Sequence, residues 1–448
     1  MPLRSITFLL YFLGSSGAAI AFPMIGVVCY IVLYHVYPQT TWWGPYLDFL
    51  GIRYAFVCGL CLLIGTGLNL NRLPIGRRIL HPTEWAMLAV FLCILLSATM
   101  AGQWSYRTDV FLDKMGKVFL FVLLMSHVVV TRNRLWQLTL VLTLMALYLG
   151  HEAKIAPPGA FRTSRLDGIG GPDFRESSGL AIHLFALMPF VVVVFQQKRL
   201  WLKVLAFLAG CYALNAVLLC RTRSAFMAGM VAGIMAIWYI PRRHRRWLIL
   251  LLVCATIGGV ILSDNWFWER MVTIFSSAEE RDQSASMRFT LWGGAWRMIR
   301  FNPWGVGVGH FEQRIAEYVD RPEIEMRNAH NSFLLCAAEI GILGFIAYLA
   351  VLATAWHSLS CVSRMARTRL HDPDLFEMLV FANRLAIIVY MVAGLFVSRL
   401  YTEGAWWFLA LPVCLERAVE NEVRVLASEP LPEPALLTQD ARLVTARA

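Results

Sequence analysis

Charge is scarce in this chain. Asp, Glu, Lys and Arg make up 15% of its 448 residues, against 58% hydrophobic residues and a mean hydropathy of +0.60. That excludes a soluble globular protein, because one core could not bury so much apolar surface. Cysteine is missing from the places where it would build a framework. Cys58, Cys61, Cys93, Cys211, Cys220, Cys254 and Cys336 sit in apolar runs, and no cysteine falls in the loops 102–112, 151–176 or 264–328. A disulfide scaffold and a zinc site are therefore unsupported. An Asp-x-Asp metal motif is missing too, since its nearest approach, Glu280-Arg281-Asp282, has an arginine at its centre. The glycines of Asn302-Pro303-Trp304-Gly305-Val306-Gly307-Val308-Gly309 follow no strand, which weakens a nucleotide-binding reading. The start, Pro2-Leu3-Arg4, runs into a long apolar stretch with no clear signal-peptide cleavage site, so the first segment is expected to stay.

What is present is a succession of apolar runs, each near the roughly 20 residues that a helix needs to cross a bilayer. They cover about 5–38, 51–69, 83–101, 113–130, 135–150, 177–195, 204–220, 224–240, 247–263, 329–357, 380–397 and 403–416. The expected fold is an all-α polytopic membrane protein of about 12 transmembrane helices. The net charge of +11 is concentrated in short loops: Arg72, Arg77 and Arg78; Arg132 and Arg134; Lys198, Arg199 and Lys203; Arg242, Arg243, Arg245 and Arg246; Arg364, Arg367 and Arg369. Such clusters are insertion signals that mark the cytoplasmic side, and they argue against nucleic acid as a partner. They share one side if 5–38 crosses once, as a single broken or tilted span; two helices broken at Pro23 would place Arg77 and Arg78 outside. Both termini are then cytoplasmic. Residues 1–416 form the membrane domain, the large outward loop 264–328 lies within it, and 417–448, with Glu429-Pro430-Leu431-Pro432-Glu433-Pro434, form a cytoplasmic disordered tail.

The chemistry-bearing residues lie on the outward side. In the large loop, Ser286 to Arg300 reads as a helix with Arg288, Trp292 and Ala295 on one face, lying flat on the membrane surface. Pro303 and the glycines after it stop that helix. The loop leads into Ala329-His330-Asn331-Ser332, where His330 starts the re-entering helix. The helix dipole there disfavours a protonated imidazole, so His330 is either a neutral base or a structural cap. Arg221 and Arg223 flank a helix junction in Leu219-Cys220-Arg221-Thr222-Arg223-Ser224-Ala225, where arginine needs water, a partner or an anion. Snorkelling and anion binding both remain open for Arg221, while Arg223 beside two hydroxyls favours an anion, whose phosphate oxygens suit a planar guanidinium. Arg165 belongs to a mixed-charge loop, 151–176, that taken alone reads as solvated. Glu339 and Arg384 lie inside apolar helices as structural partners or as a proton relay.

Thr222-Arg223-Ser224-Ala225, Arg288 with Trp292, Pro303-Trp304-Gly305-Val306-Gly307, and Ala329-His330-Asn331-Ser332 followed by Glu339-Ile340-Gly341-Ile342-Leu343-Gly344 resemble the O-antigen ligase and polymerase superfamily of membrane glycosyltransferases. The resemblance is specific over about 221–345. It departs where Thr222 stands in place of the usual serine. Pro23 to Gly26, Pro38 to Gly44 and Trp266 to Thr273 also look like the exosortase-associated O-glycosylation ligase branch. The resemblance implies a GT-C-like fold in the bacterial inner membrane, with the active site facing the periplasm. It implies inverting, metal-independent, cofactor-free transfer of a glycan from undecaprenyl diphosphate to a hydroxyl of lipid A-core, of a protein or of a growing glycan, among membrane lipids. Arg223 and Arg288, with Arg221 and Arg165, would hold the donor diphosphate. His330 would activate the acceptor, supported by Asn331 and Glu339. A lipid-linked sugar flippase is the rival from another class, backed by the helix count, Glu339 and Arg384, though no internal repeat is evident.

Overall fold

The structure, a computed structural model, describes residues 1–74, 80–100, 102, 104–272, 283–319 and 326–428. Arg77 and Arg78, the Glu280-Arg281-Asp282 triplet and the proline-rich stretch after Ser428 lie outside the described residues. The chain is almost entirely helical: α1 (Leu3–Ala21), α2 (Pro23–His35), α3 (Tyr54–Leu68), α4 (Pro82–Met100), α5 (Tyr106–Val128), α6 (Arg132–Lys154), α7 (Ser177–Phe195), α8 (Leu200–Cys220), α9 (Arg223–Tyr239), α10 (Arg245–Leu262), α11 (Asn265–Val272), α12 (Gln283–Phe301), α13 (Phe311–Arg314), α14 (Ser332–Arg369), α15 (Asp374–Gly394) and α16 (Glu403–Ser428). A two-stranded hairpin, β1 (Phe161–Arg162) and β2 (Arg165–Leu166), interrupts the loop after α6.

Burial runs opposite to that of a soluble bundle at the periphery. Ile249, Leu250, Val253, Ile257, Val260 and Ile261 of α10 are exposed, and α7 and α15 at the centre are apolar and largely buried. Apolar side chains turned outward along a whole helix need lipid around them. Among the described residues, seven helices are long and apolar enough to cross a membrane, and an eighth is formed if Gly44–Leu50 and α3, bent by 63°, make one span. That is fewer than the 12 expected. The shortfall has a physical cause: α2 has 13 residues and α9 has 17, and α5 carries Arg107, Asp109, Asp113, Lys114 and Lys117 among its apolar positions.

The first stretch departs from expectation. Pro23 lacks the N–H that would continue α1, and the chain turns back on itself: Ser15 Oγ of α1 meets Cys29 Sγ of α2 at 3.0 Å. Gly26 makes the close approach feasible, because a Cβ there would stand 2.8 Å from Ala19 Cβ. Residues 5–38 are therefore a helical hairpin and not a single tilted span. Its tip lies by Asn69, whose Nδ2 donates to the Ile20 carbonyl at 3.1 Å, and its open end gathers Arg4, Val36 and His151. At the other end of α6, Arg132 pairs with Glu422 of α16 at 2.8 Å. The N-terminus and the end of α16 thus lie on opposite faces, correcting the placement of both termini on one side. With the N-terminus outward, the loop after α3 still falls on the arginine-rich face, so the hairpin and the positive-inside rule agree.

That arginine-rich face is tied together by ion pairs. Arg132 also reaches Asp372 at 2.9 Å, and Arg243 and Arg367 both contact Glu377. The boundary placed at residue 416 falls within α16, which continues as helix to Ser428. Arg417 is buried there and grips Glu84 with two hydrogen bonds, of 2.9 and 2.8 Å, while donating to the Ser126 carbonyl. A buried guanidinium is tolerable when its donors are satisfied in this way, so 417–428 belongs to the bundle.

Candidate active site

The loop face is assembled from short junctions. α8 ends at Arg221, which adopts φ +46° and caps the helix in a left-handed conformation. Its guanidinium is held by the Ser164 carbonyl and by Asp264. Ser164 and Thr163 form the tip of the β1–β2 hairpin, both with positive φ, as a two-residue hairpin turn demands. Arg221 therefore clamps a hairpin whose second strand begins with Arg165, and α9 begins with Arg223 after a single intervening residue, Thr222.

α12 supplies the third arginine. Its buried stripe of Leu291, Ala295 and Met298 recurs at helical spacing and packs on α14. One turn beyond Arg288, Trp292 Nε1 donates to the Ala329 carbonyl at 3.0 Å, bringing Arg288 beside His330. Burial and the charges of Arg223 and Arg165 hold the Arg288 guanidinium below its ordinary pKa. Its Nε is buried with no hydrogen-bond partner among the described residues. Arg223 and Arg165 thus each oppose the charge on Arg288, and an anion beside Arg288 relieves that repulsion.

His330 does not itself begin the helix. Asn331 is the N-cap of α14, accepting from Phe333 N at 2.9 Å and Leu334 N at 3.0 Å, a satisfied cap. His330 precedes it, half-buried, in a left-handed conformation at φ +47°. Its pKa is lowered by burial first and by Arg288 second, with Glu176 and Glu312 opposing. The imidazole is neutral near pH 7 and can accept a proton; burial and Arg288 account for this.

The other sequence motifs interlock beneath the site. Gly341 breaks α14 with φ +76° and ψ 177°. The helix bonds lost at the break are replaced by the 303–307 loop: Val306 N donates to the Ala338 carbonyl at 2.9 Å, Gly307 N to the Glu339 carbonyl at 3.2 Å, and Ile342 N to the Pro303 carbonyl at 2.9 Å. Gly305, at φ +92°, lies so close to the Glu339 carbonyl that a Cβ would clash with it. The Glu339 carboxylate is buried and accepts from Tyr401 Oη at 2.6 Å and Phe311 N at 3.1 Å, so it fastens α14 to its surroundings. Arg384 lies elsewhere, between the rings of Tyr239 and Trp356 at 5.3 and 5.5 Å, and does not pair with Glu339.

Several charged residues around His330 escaped the sequence reading. Arg399 donates to Glu176 at 3.2 Å and to Ser178 at 2.6 Å, and Asn328 Nδ2 donates to Glu312 at 3.0 Å, which also pairs with Arg107. The usable signal was the charge at the start of α5, where Arg107 and Lys114 stand with Asp109, Asp113 and Lys117 ahead of a long apolar run. Lys114 pairs with Asp173.

No curated protein matches the chain. Residues 208–349, which run from the middle of α8 into α14 and include Arg221, Arg223, Arg288, His330 and Glu339, match the family model described as O-antigen ligase, which supports the resemblance of this segment to the O-antigen ligase-like superfamily.

Proposed function

We propose that the protein is a membrane glycosyltransferase that moves a preassembled glycan from undecaprenyl diphosphate to an acceptor hydroxyl, in the first instance on lipid A-core, at the periplasmic face of a bacterial inner membrane. The observation that carries this reading is Arg288, buried within reach of the charges of Arg223 and Arg165 and acting in turn on a neutral His330. The arginines offset the negative charge on the diphosphate as it departs, and the unpartnered Nε of Arg288 is a donor for it. A ring nitrogen of His330 takes the proton of the acceptor hydroxyl while that oxygen attacks the anomeric carbon. The new glycosidic bond forms as the carbon–oxygen bond to diphosphate breaks, and its electron pair leaves with the diphosphate. One displacement inverts the anomeric centre. The bond energy is already in the donor, so no nucleotide is needed on that side of the membrane.

Protein hydroxyls and a growing glycan fit the same chemistry as acceptors. The flippase alternative drew on Glu339 and Arg384 as intramembrane charges. Glu339 is hydrogen-bonded to Tyr401 and Phe311, and Arg384 is stacked between aromatic rings, which suits structural roles. The test is transfer by purified protein from labelled undecaprenyl-diphosphate-linked glycan to lipid A-core. His330→Ala is expected to lower the rate about 10²–10⁴-fold, the usual contribution of a general base. Unchanged product formation by that variant refutes the assignment.

A further inference from the structure

A groove of about 620 Å³ opens between α1, α2 and α6, and every residue lining it precedes the matched segment 208–349. The volume is in the range of small-ligand sites, roughly 300–1,000 Å³. The groove occupies the open end of the N-terminal hairpin, level with the outward end of α6. Along α1 its wall runs from Arg4 to Tyr11, about 10 Å of helix at a rise of about 1.5 Å per residue. Phe8, Val32 and Trp43 make that wall apolar.

The mouth is different. It carries one charge of each sign, Arg4 at the start of α1 and Glu152 near the end of α6. Both charges act on the hydroxyl of Tyr148 in the wall, so they share one space. They do not pair with each other. The Glu152 carboxylate has the His151 imidazole 3.7 Å away, and Arg4 lies over the Trp42 ring at 5.7 Å with no ion pair among the described residues.

This composition selects the ligand. An apolar groove facing the bilayer admits an acyl chain, and the headgroup decides which lipid stays. The planar fork of Arg4 suits phosphate oxygens. Glu152 repels a second negative charge and accepts from a primary ammonium, which has three N–H donors. An anionic glycerol headgroup offers Glu152 no cation, and a choline headgroup offers it no N–H. We propose that the groove binds a phospholipid of the outward leaflet with a phosphoethanolamine headgroup, its phosphate on Arg4, its ammonium on Glu152 and one acyl chain along the wall from Phe8 to Tyr11. The site is independent of glycan transfer, and neither proposal falls with the other.

The experiment is native mass spectrometry of the full chain, delipidated in detergent and titrated separately with phosphatidylethanolamine, phosphatidylglycerol and phosphatidylcholine of identical acyl chains. The expected result is one retained phosphatidylethanolamine, bound several-fold more tightly than the other two. Arg4→Gln is expected to weaken it about fivefold, the equivalent of about 1 kcal/mol for one basic residue at a lipid headgroup. Glu152→Gln is expected to shift the preference toward phosphatidylglycerol. Each variant tests one end of the headgroup independently, and thermal unfolding without added lipid checks that each is folded. Phosphatidylglycerol bound as tightly as phosphatidylethanolamine by the wild-type protein overturns the zwitterionic site. Equal retention of all three lipids, unchanged binding in both variants, or no retained lipid overturns it as well.

Discussion

Gly341→Ala is the most demanding test of how the site is held together. The residue sits at φ +76° and ψ 177°, a region essentially reserved for glycine, and placing alanine there costs about 1–3 kcal/mol in backbone strain. The new Cβ would stand 2.5 Å from the Trp304 carbonyl carbon and 2.7 Å from the Pro303 oxygen, so the 303–307 loop has to move. Its three hydrogen bonds to the break in α14 then open, at about 1 kcal/mol each. The two contributions together give about 4–6 kcal/mol. The loop is also the direct continuation of α12, so its displacement draws Arg288 and Trp292 away from His330. Thermal unfolding in detergent and glycan transfer at a permissive temperature read the two consequences separately. Gly233→Ala in α9, where an added Cβ meets nothing within 4 Å, serves as the control and is expected to gain about 0.5–1 kcal/mol as a helix-interior glycine replaced by alanine. If Gly341→Ala unfolds at the temperature of the control and keeps its transfer rate, the interlocked loop does not support the site.

Two further outcomes follow from the electrostatics. Arg288→Gln removes a positive neighbour from His330, so the imidazole pKa rises toward its ordinary value, and the acidic limb of the pH–rate profile for transfer moves to higher pH; a limb that stays in place or moves to lower pH contradicts the proximity of the two groups. Arg221→Ala releases Asp264 and the Ser164 carbonyl and loosens the hairpin that carries Arg165, so the donor KM should rise, but by less than in Arg223→Ala. The reverse ranking would mean that Arg221 touches the donor directly.

The hydropathy pattern was legible because lipid leaves no alternative: long apolar runs have to be helices when their backbone groups find no water. The break at Pro303 and the glycines after it was legible for a similar reason, since it depends on residues close in the chain, whereas the helix start was read one residue early, at His330 in place of the cap Asn331. The route of the first stretch was not. Pro23 marks a break, but whether α1 and α2 continue or fold back depends on the fit of Gly26 against Ala19. The expected boundary at 416 cuts α16, because the partner of Arg417 is Glu84, hundreds of positions earlier, and a linear reading does not bring them together.

The sequence by itself determined that the protein lives in a membrane, which face carries the basic clusters, and which arginines and which histidine belong to the matched region, because composition and short-range motifs carry that information. The packing of distant segments alone established that the 303–307 loop completes the broken α14, that Arg221 clamps a hairpin, and that Arg107 meets Glu312, Lys114 meets Asp173 and Arg399 meets Glu176. Those arrangements arise from pairings between distant segments, where each partner alone looks like an ordinary loop charge. The physical reason is that burial and neighbouring charge, which make Arg288 and His330 unusual, are properties of packed space, and a linear sequence records only the residues that will fill it.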